Sequence, residues 1–244
     1  MTSREIPRAQ DQLFAKGGAR AKYSALVVER PGWGALVKHE CVVLLAQAVP
    51  GALGLALRKW LYPWLLGACG RNVVFGQNVV LRHPHKIHIG DHVVVDDNCL
   101  LDAKGERNAG IRIGSGVFIG RNTILSCKNG DIEIADGANV GFNCEIFSAS
   151  RVRVGQDTLV AAYVYLVGGD HEFSDPSRAV LDQPRSSKGI DVGEGAWIGA
   201  GATILDGVTV GDRAVVGAGA VVRDAVPAGA TVVGIPARVV GSRQ

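Results

Sequence analysis

A six-residue period runs through most of this 244-residue chain. Aliphatic or aromatic residues head hexads at 75, 81, 89, 95, 101, 113, 119, 125, 134, 140, 146, 154, 160, 166, 192, 198, 204, 210, 216 and 222. In 17 of these 20 hexads the residue four places after the head is Ala, Val, Ser, Thr, Cys or Gly. A fixed short period means stacked like units, not one globular core. One large and one small inward residue per hexad fit one flat side of a narrow triangular prism. The large residue fills the axis, and the small one fits where the wall turns.

The interruptions obey a rule of their own. The spacing lengthens between 81 and 89, 101 and 113, 125 and 134, 146 and 154, and 166 and 192. Each long gap follows a third hexad, so every insertion leaves from the same corner of the prism. Gly directly follows the head in ten hexads, none of them a third hexad. The third side therefore differs chemically from the other two. Gly at the other corners is expected to supply backbone angles closed to residues with a Cβ. Six coils and a partial first one are expected over residues 73 to about 226. The longest insertion opens with "VGGDHEFSDPSRAV" and holds His171, the only histidine after residue 92.

Three motifs go beyond the period: His171, five residues after the third-hexad Leu166; "AWIGAGATILDGVTVGDRAVVGAGAVV" at 196–222; and "VPAGATVVGIPARVVG" at 226–241. With them, residues 72 to 240 resemble the hexapeptide-repeat acyltransferases. The likeness is to their galactoside, maltose and nodulation-factor O-acetyltransferase branch. The resemblance implies an all-β repeat fold, the left-handed parallel β-helix. The general preference for right-handed crossovers would have argued against that hand. The expected organisation is an N-terminal helical or capping extension over 1–70, a β-helix over 71–226 with a catalytic loop at 167–191, and a C-terminal capping segment over 227–244.

The resemblance also implies a homotrimer with active sites between subunits, acetyl-CoA as acyl donor, and His171 as general base. The chemistry agrees. A sugar hydroxyl must lose a proton of high pKa as it attacks the thioester, and neutral imidazole suits that task near neutral pH. No serine or cysteine nucleophile is needed if the acceptor attacks directly. Asp170 and Glu172 flank the base, and either could orient its ring. On the donor side, the family pattern puts Trp197, Ala200 and Ala218 along the pantetheine arm and Arg223 and Arg238 at the nucleotide phosphates. The planar fork of Arg suits phosphate. The family often has Thr-Lys where this chain has Arg223-Asp224. On the acceptor side, Asn143 lies near the family's substrate-contacting stretch, but the family's substrate Asn falls on Gly141 here, a departure from the galactoside pattern.

Lys104 and Lys128 each sit three residues past a third-hexad head, Leu101 and Leu125. Stacked at about 4.8 Å per coil, they form a cationic ladder about 10–15 Å from the His171 loop. Such a ladder could hold a phosphate or carboxylate of the acceptor; it could equally be two solvated corner lysines.

Composition narrows the partners. The net charge of +3 is too small to argue for nucleic acid, and five scattered cysteines make neither a disulfide framework nor a zinc pattern. Cys99 and Cys144 fall on the small inward position and read as core. No early apolar segment resembles a signal peptide, so a reducing cytoplasm fits. The first 70 residues carry 9 Lys and Arg against 4 Asp and Glu. Their apolar run from 41 to 57 is broken by Gln47, Pro50 and Gly51, short of the roughly 20 residues a membrane span needs. Arg58, Lys59, Trp60, Tyr62 and Trp64 follow, a mixture common at lipid surfaces. Residues 41–66 therefore either cap the first coil and pack in the oligomer, or touch the inner face of the membrane. In the second case a lipid-linked saccharide becomes a natural acceptor.

The expected activity is acyl-CoA-dependent O-acyl transfer, with acetyl as the group, to a hydroxyl of a saccharide. The alternatives within the family are a serine O-acetyltransferase, whose long helical N-terminal domain residues 1–70 cannot supply, and a sugar N-acetyltransferase. A γ-class carbonic anhydrase would need zinc, but His83, His85, His88 and His92 cluster at one early corner while His171 stands alone, so no metal is expected. A non-catalytic scaffold would have no use for His171 or "GIPAR".

Overall fold

The computed structural model describes residues 14, 18–30 and 32–242. Three parallel sheets form the sides of a prism. Face one runs through seven strands from Ala68–Cys69 to Thr209–Val210. Face two runs from Val74–Phe75 through Val215–Val216 to Ala230–Val233, and Arg238–Ser242 then folds back antiparallel at its edge. Face three runs from Val80–Arg82 to Val221–Val222. Sheet neighbours belong to successive coils, so hexad heads stand in register: Ile113 on Ile134, Val140 on Val160, Leu125 on Ile146 and Leu166.

The heads and the small inward residues make one continuous core along the axis. Leu101, Ile119, Leu125, Ile146 and Leu166 are wholly buried, and Cys99, Ala138, Cys144, Ala202 and Ala220 fill the narrow positions. At the corners between faces one and two and between faces two and three, the residue three past each head lies in the left-handed region. At the corner between faces two and three these residues are Asn78, Asn98, Asn122, Asn143 and Tyr163, then Gly201 and Gly219. Asn tolerates that region better than most residues with a Cβ, which explains the column.

Two details differ from the sequence reading. The first coil is whole. Ala68–Cys69 is its first side, with Cys69 paired to Ile89, three residues before the expected boundary; the hexad pattern does not mark Cys69 because it is neither aliphatic nor aromatic. Val226 bridges Val210, and Val232 pairs with Val216, so an eighth coil is begun. The ten glycines after the heads, Gly199 among them, are not in the left-handed region. They are needed for close approach instead. A Cβ on Gly199 would lie 2.6 Å from the Ala218 nitrogen of the next coil.

Helices α1 (Ala19–Val27), α2 (Trp33–Val42) and α3 (Gly51–Leu61) precede the solenoid. A wider turn, Val43–Gln47, extends α2, and Pro50 caps α3. Val42, Ala46, Tyr62, Leu65 and Leu66 join the axial core. The Tyr62 ring lies 5.2 Å from that of Phe75, and its hydroxyl donates to the Val79 carbonyl at 2.9 Å. Arg58 is buried without a carboxylate. It donates to the carbonyls of Phe75 (2.9 Å), Ala46 (2.9 Å) and Val49 (2.7 Å). Those at the end of the wide turn have no helical donor, so the guanidinium both finds partners and completes the helix end.

Candidate active site

The insertions leave from the corner between faces three and one, and the site is built there from a column of stacked residues. Asp102 pairs with Ser126, Cys127 with Ser148, and Ser148 with Gly168. One step further along, Lys104, Lys128, Ala149 and Gly169 lie above one another. Backbone bonds hold the stack: Asn129 N–H to Lys104 O at 3.2 Å, Lys128 N–H to Ser148 O at 2.7 Å, and Ala149 N–H to Gly168 O at 2.7 Å. The column runs from long cationic side chains to nearly none. A Cβ on Gly169 would stand 2.8 Å from the Ala149 Cβ.

The 167–191 loop rises from this point as a small hairpin. Asp170–His171 pairs antiparallel with Arg185–Ser186, setting His171 opposite Arg185. The buried Gln183 staples the tip: its amide accepts from Asp175 N–H at 3.1 Å and donates to the carbonyls of Asp175 and Arg178. Asp206 holds the return, accepting the N–H groups of Lys188 (2.7 Å) and Gly189 (2.9 Å). Ser187 Oγ donates to Gly168 O at 3.0 Å. A loop anchored at both ends presents its histidine in a defined place.

His171 is half-buried. Its Nδ1 is shielded from solvent and meets no hydrogen-bond partner among the described residues. Neither flanking carboxylate holds the ring: Asp170 Oδ1 instead accepts the backbone N–H of His171 at 2.7 Å. Arg185, which no sequence motif marks, stands opposite His171 because 13 intervening residues fold back. The Lys128 ammonium is partly buried, and its pKa is pushed down by that burial first, then by the charges of Arg185 and Lys104. Arg185 of the loop and the two ladder lysines therefore share one neighbourhood.

The residues expected on the donor side lie elsewhere. Trp197 projects from face two, about half exposed. Ala200 and Ala218 stack at the corner between faces two and three, joined by Gly219 N–H to Ala200 O at 2.8 Å. Asn143 belongs to the asparagine column of that same corner, its Oδ1 accepting from Asn122 Nδ2 at 3.0 Å. Arg223 and Arg238 meet at one carboxylate, with Asp224 Oδ2 at 3.4 and 3.6 Å. Within one chain, then, His171, Asp170, Lys104 and Lys128 gather at one corner, while Asn143, Ala200 and Ala218 gather at another. The whole width of face three separates them.

The early histidines do not converge. His83 is buried and bonded to Ala25 O (3.1 Å) and Asp102 Oδ1 (3.3 Å), tying α1 to the solenoid. His92 occupies a left-handed turn position. Among the described residues no group of three or more His, Cys, Asp or Glu is arranged to hold a metal ion.

The repeat matches known proteins. Residues 189–224 match the family model described as bacterial transferase hexapeptide (six repeats). The chain is 30% identical over 149 residues to WbbJ of Escherichia coli, named for lipopolysaccharide biosynthesis O-acetyl transfer, and covers 74% of that protein and 58% of itself. The chain belongs to the bacterial hexapeptide-repeat transferase family. It is also 29% identical, over all of its own length and 82% of the relative's, to Rv3034c of Mycobacterium tuberculosis, named as an acetyltransferase. Among solved structures, the polysialic acid O-acetyltransferase OatWY superposes with a TM-score of 0.57 at 19% identity, covering 72% of this chain and 86% of that one. The fold is thus the family's left-handed parallel β-helix.

Proposed function

We propose that this protein transfers an acetyl group from acetyl-CoA to a hydroxyl of a saccharide, with His171 as general base. The observation that carries this reading is an anchored loop presenting one imidazole over a corner paved with the small residues Ala149 and Gly169. His171 takes the proton of the acceptor hydroxyl as its oxygen attacks the thioester carbonyl. The tetrahedral intermediate then expels the CoA thiolate, which leaves with a proton. Backbone N–H groups of the loop are suited to stabilising the oxyanion. The relatives named as acetyltransferases support the reaction class.

The separation of the two corners supports a homotrimer. The His171 loop of one subunit would face the Trp197, Ala200 and Ala218 track of its neighbour, where small residues admit the pantetheine arm. The neighbour would also cover the shielded, unpartnered Nδ1. Arg223 and Arg238 would exchange Asp224 for donor phosphates.

The exposed face of the N-terminal helices suits a lipid surface. Trp33, Leu44, Leu45, Leu53, Trp60 and Trp64 are all more than half exposed, within a 70-residue segment rich in Lys and Arg. Among the described residues no helix is long and apolar enough to cross a membrane. We read the face as an interfacial contact with an anionic leaflet, a place where a lipid-linked saccharide would be met.

The deciding experiment is His171→Ala. It should retain the fold and acetyl-CoA binding while kcat falls by at least ~10²-fold. Near-normal turnover by this variant would remove the proposed base.

A further inference from the structure

Three cationic side chains share the corner from which the His171 loop rises, and no carboxylate among the described residues forms an ion pair with two of them, Lys128 and Arg185. Four carboxylates of this corner are engaged elsewhere. Asp170 accepts the His171 N–H. Asp102 takes the Lys104 N–H and lies against His83 and Arg82. Asp131 accepts the Gly110 N–H at 2.8 Å, and Asp206 binds the returning loop.

The geometry brings these cations to one side of the imidazole. Residues directly opposite in an antiparallel pair project from the same face, with Cβ atoms about 4.5–5.5 Å apart. His171 and Arg185 are such a pair. Lys128 stands two coils below Gly169 in the stacked column, with only Ala149 between. Arg185 stands opposite His171 on the hairpin that rises from this column, and its charge, after burial, lowers the Lys128 pKa. Like charges gathered on partly buried side chains are unfavourable unless an anion joins them.

We propose that Arg185 and Lys128, extended by Lys104, form an anion subsite beside His171, so that the acceptor is an acidic saccharide carrying a carboxylate or phosphate near the acylated hydroxyl. This rests on the reading of the loop as the acceptor site. Arg185 is the specificity-determining residue of the subsite: its fork receives two anionic oxygens while the hydroxyl is held at the imidazole. The empty wall at Ala149 and Gly169 leaves room for the sugar ring between the charge and the base.

Direct binding tests the subsite without turnover. Calorimetry would compare methyl glucuronoside, glucose 6-phosphate and methyl glucoside, each on the intact protein with and without saturating CoA. The charged probes should bind at least ~10-fold more tightly than methyl glucoside. Arg185→Gln should shrink that ratio by ~10-fold, and Arg185→Gln/Lys128→Gln should bring it near one, with the neutral probe as internal reference. Equal binding of charged and neutral probes, or binding of none, overturns the proposal. So does loss of the charged probes when CoA is bound, which would give the cations to the donor's phosphates. Inorganic phosphate binding as tightly as glucose 6-phosphate would make this a plain anion site and also overturn it. His171→Ala should keep the charge preference while losing turnover, so the subsite and the base fail separately.

Discussion

At the residue scale, position in the hexad decides chemistry. Cys99, Cys127 and Cys144 fill buried positions. Burial pushes the Cys99 thiol up to about 11 and raises the other two as well. A raised thiol pKa leaves the protonated, unreactive form dominant at pH 8. Native alkylation followed by mass spectrometry should therefore label exposed Cys41 first and half-buried Cys69 slowly, with the other three labelled only on unfolding. Early labelling of Cys144 would contradict the core assignment. The Arg223–Asp224–Arg238 cluster makes a different prediction. Its three side chains are mostly exposed, so it adds little to stability. Arg238→Ala should leave the melting temperature nearly unchanged and raise KM for acetyl-CoA more than KM for a dephospho-CoA thioester. Equal rises would exclude a specific contact to the 3′-phosphate.

At the element scale, the helical segment has two faces with separable tests. Its inner face closes the first coil through Tyr62 and Arg58. Arg58→Met would strip the donors from two buried carbonyls and a half-buried one, each buried one costing about 1–3 kcal/mol if left unsatisfied. Chemical denaturation should show a loss of about 2–4 kcal/mol after partial relaxation. An unchanged midpoint would mean that water replaces the guanidinium. Its outer face carries the exposed tryptophans. The protein should float with vesicles containing anionic lipid, less with zwitterionic ones, and Leu44→Ser/Trp60→Ser should reduce flotation without altering the melting temperature. Failure to float would leave that face to contacts between proteins.

At the scale of the whole molecule, the proposed homotrimer would join across subunits two half-sites that lie on different corners of one chain. His171→Ala and a donor-track block such as Ala218→Trp should each be inactive alone. Mixed trimers of the two, formed by unfolding and refolding together, should regain activity, because some interfaces join an intact loop to an intact track. No recovery, with mixed trimers verified by mass, would mean that one chain forms the whole site.

The hexads by themselves determine much: three sides, one corner for every insertion, the buried small positions and the loop holding His171. They could do so because a solenoid repeats one local solution, and each unit contacts mainly its sequence neighbours. Other features rest on contacts the repeat does not encode. Cys69 is a head only because Ile89 stacks on it. The corner glycines are explained by the next coil's backbone, which no single hexad contains. Asn143 stands in a turn column at the corner away from its own chain's His171, a placement no single hexad shows. Arg185 carries no signal in the sequence, and only the antiparallel return of a long loop sets it opposite His171. The tertiary structure decided these because loop closure, coil-on-coil contact and the angular distance between corners depend on distant residues meeting in space.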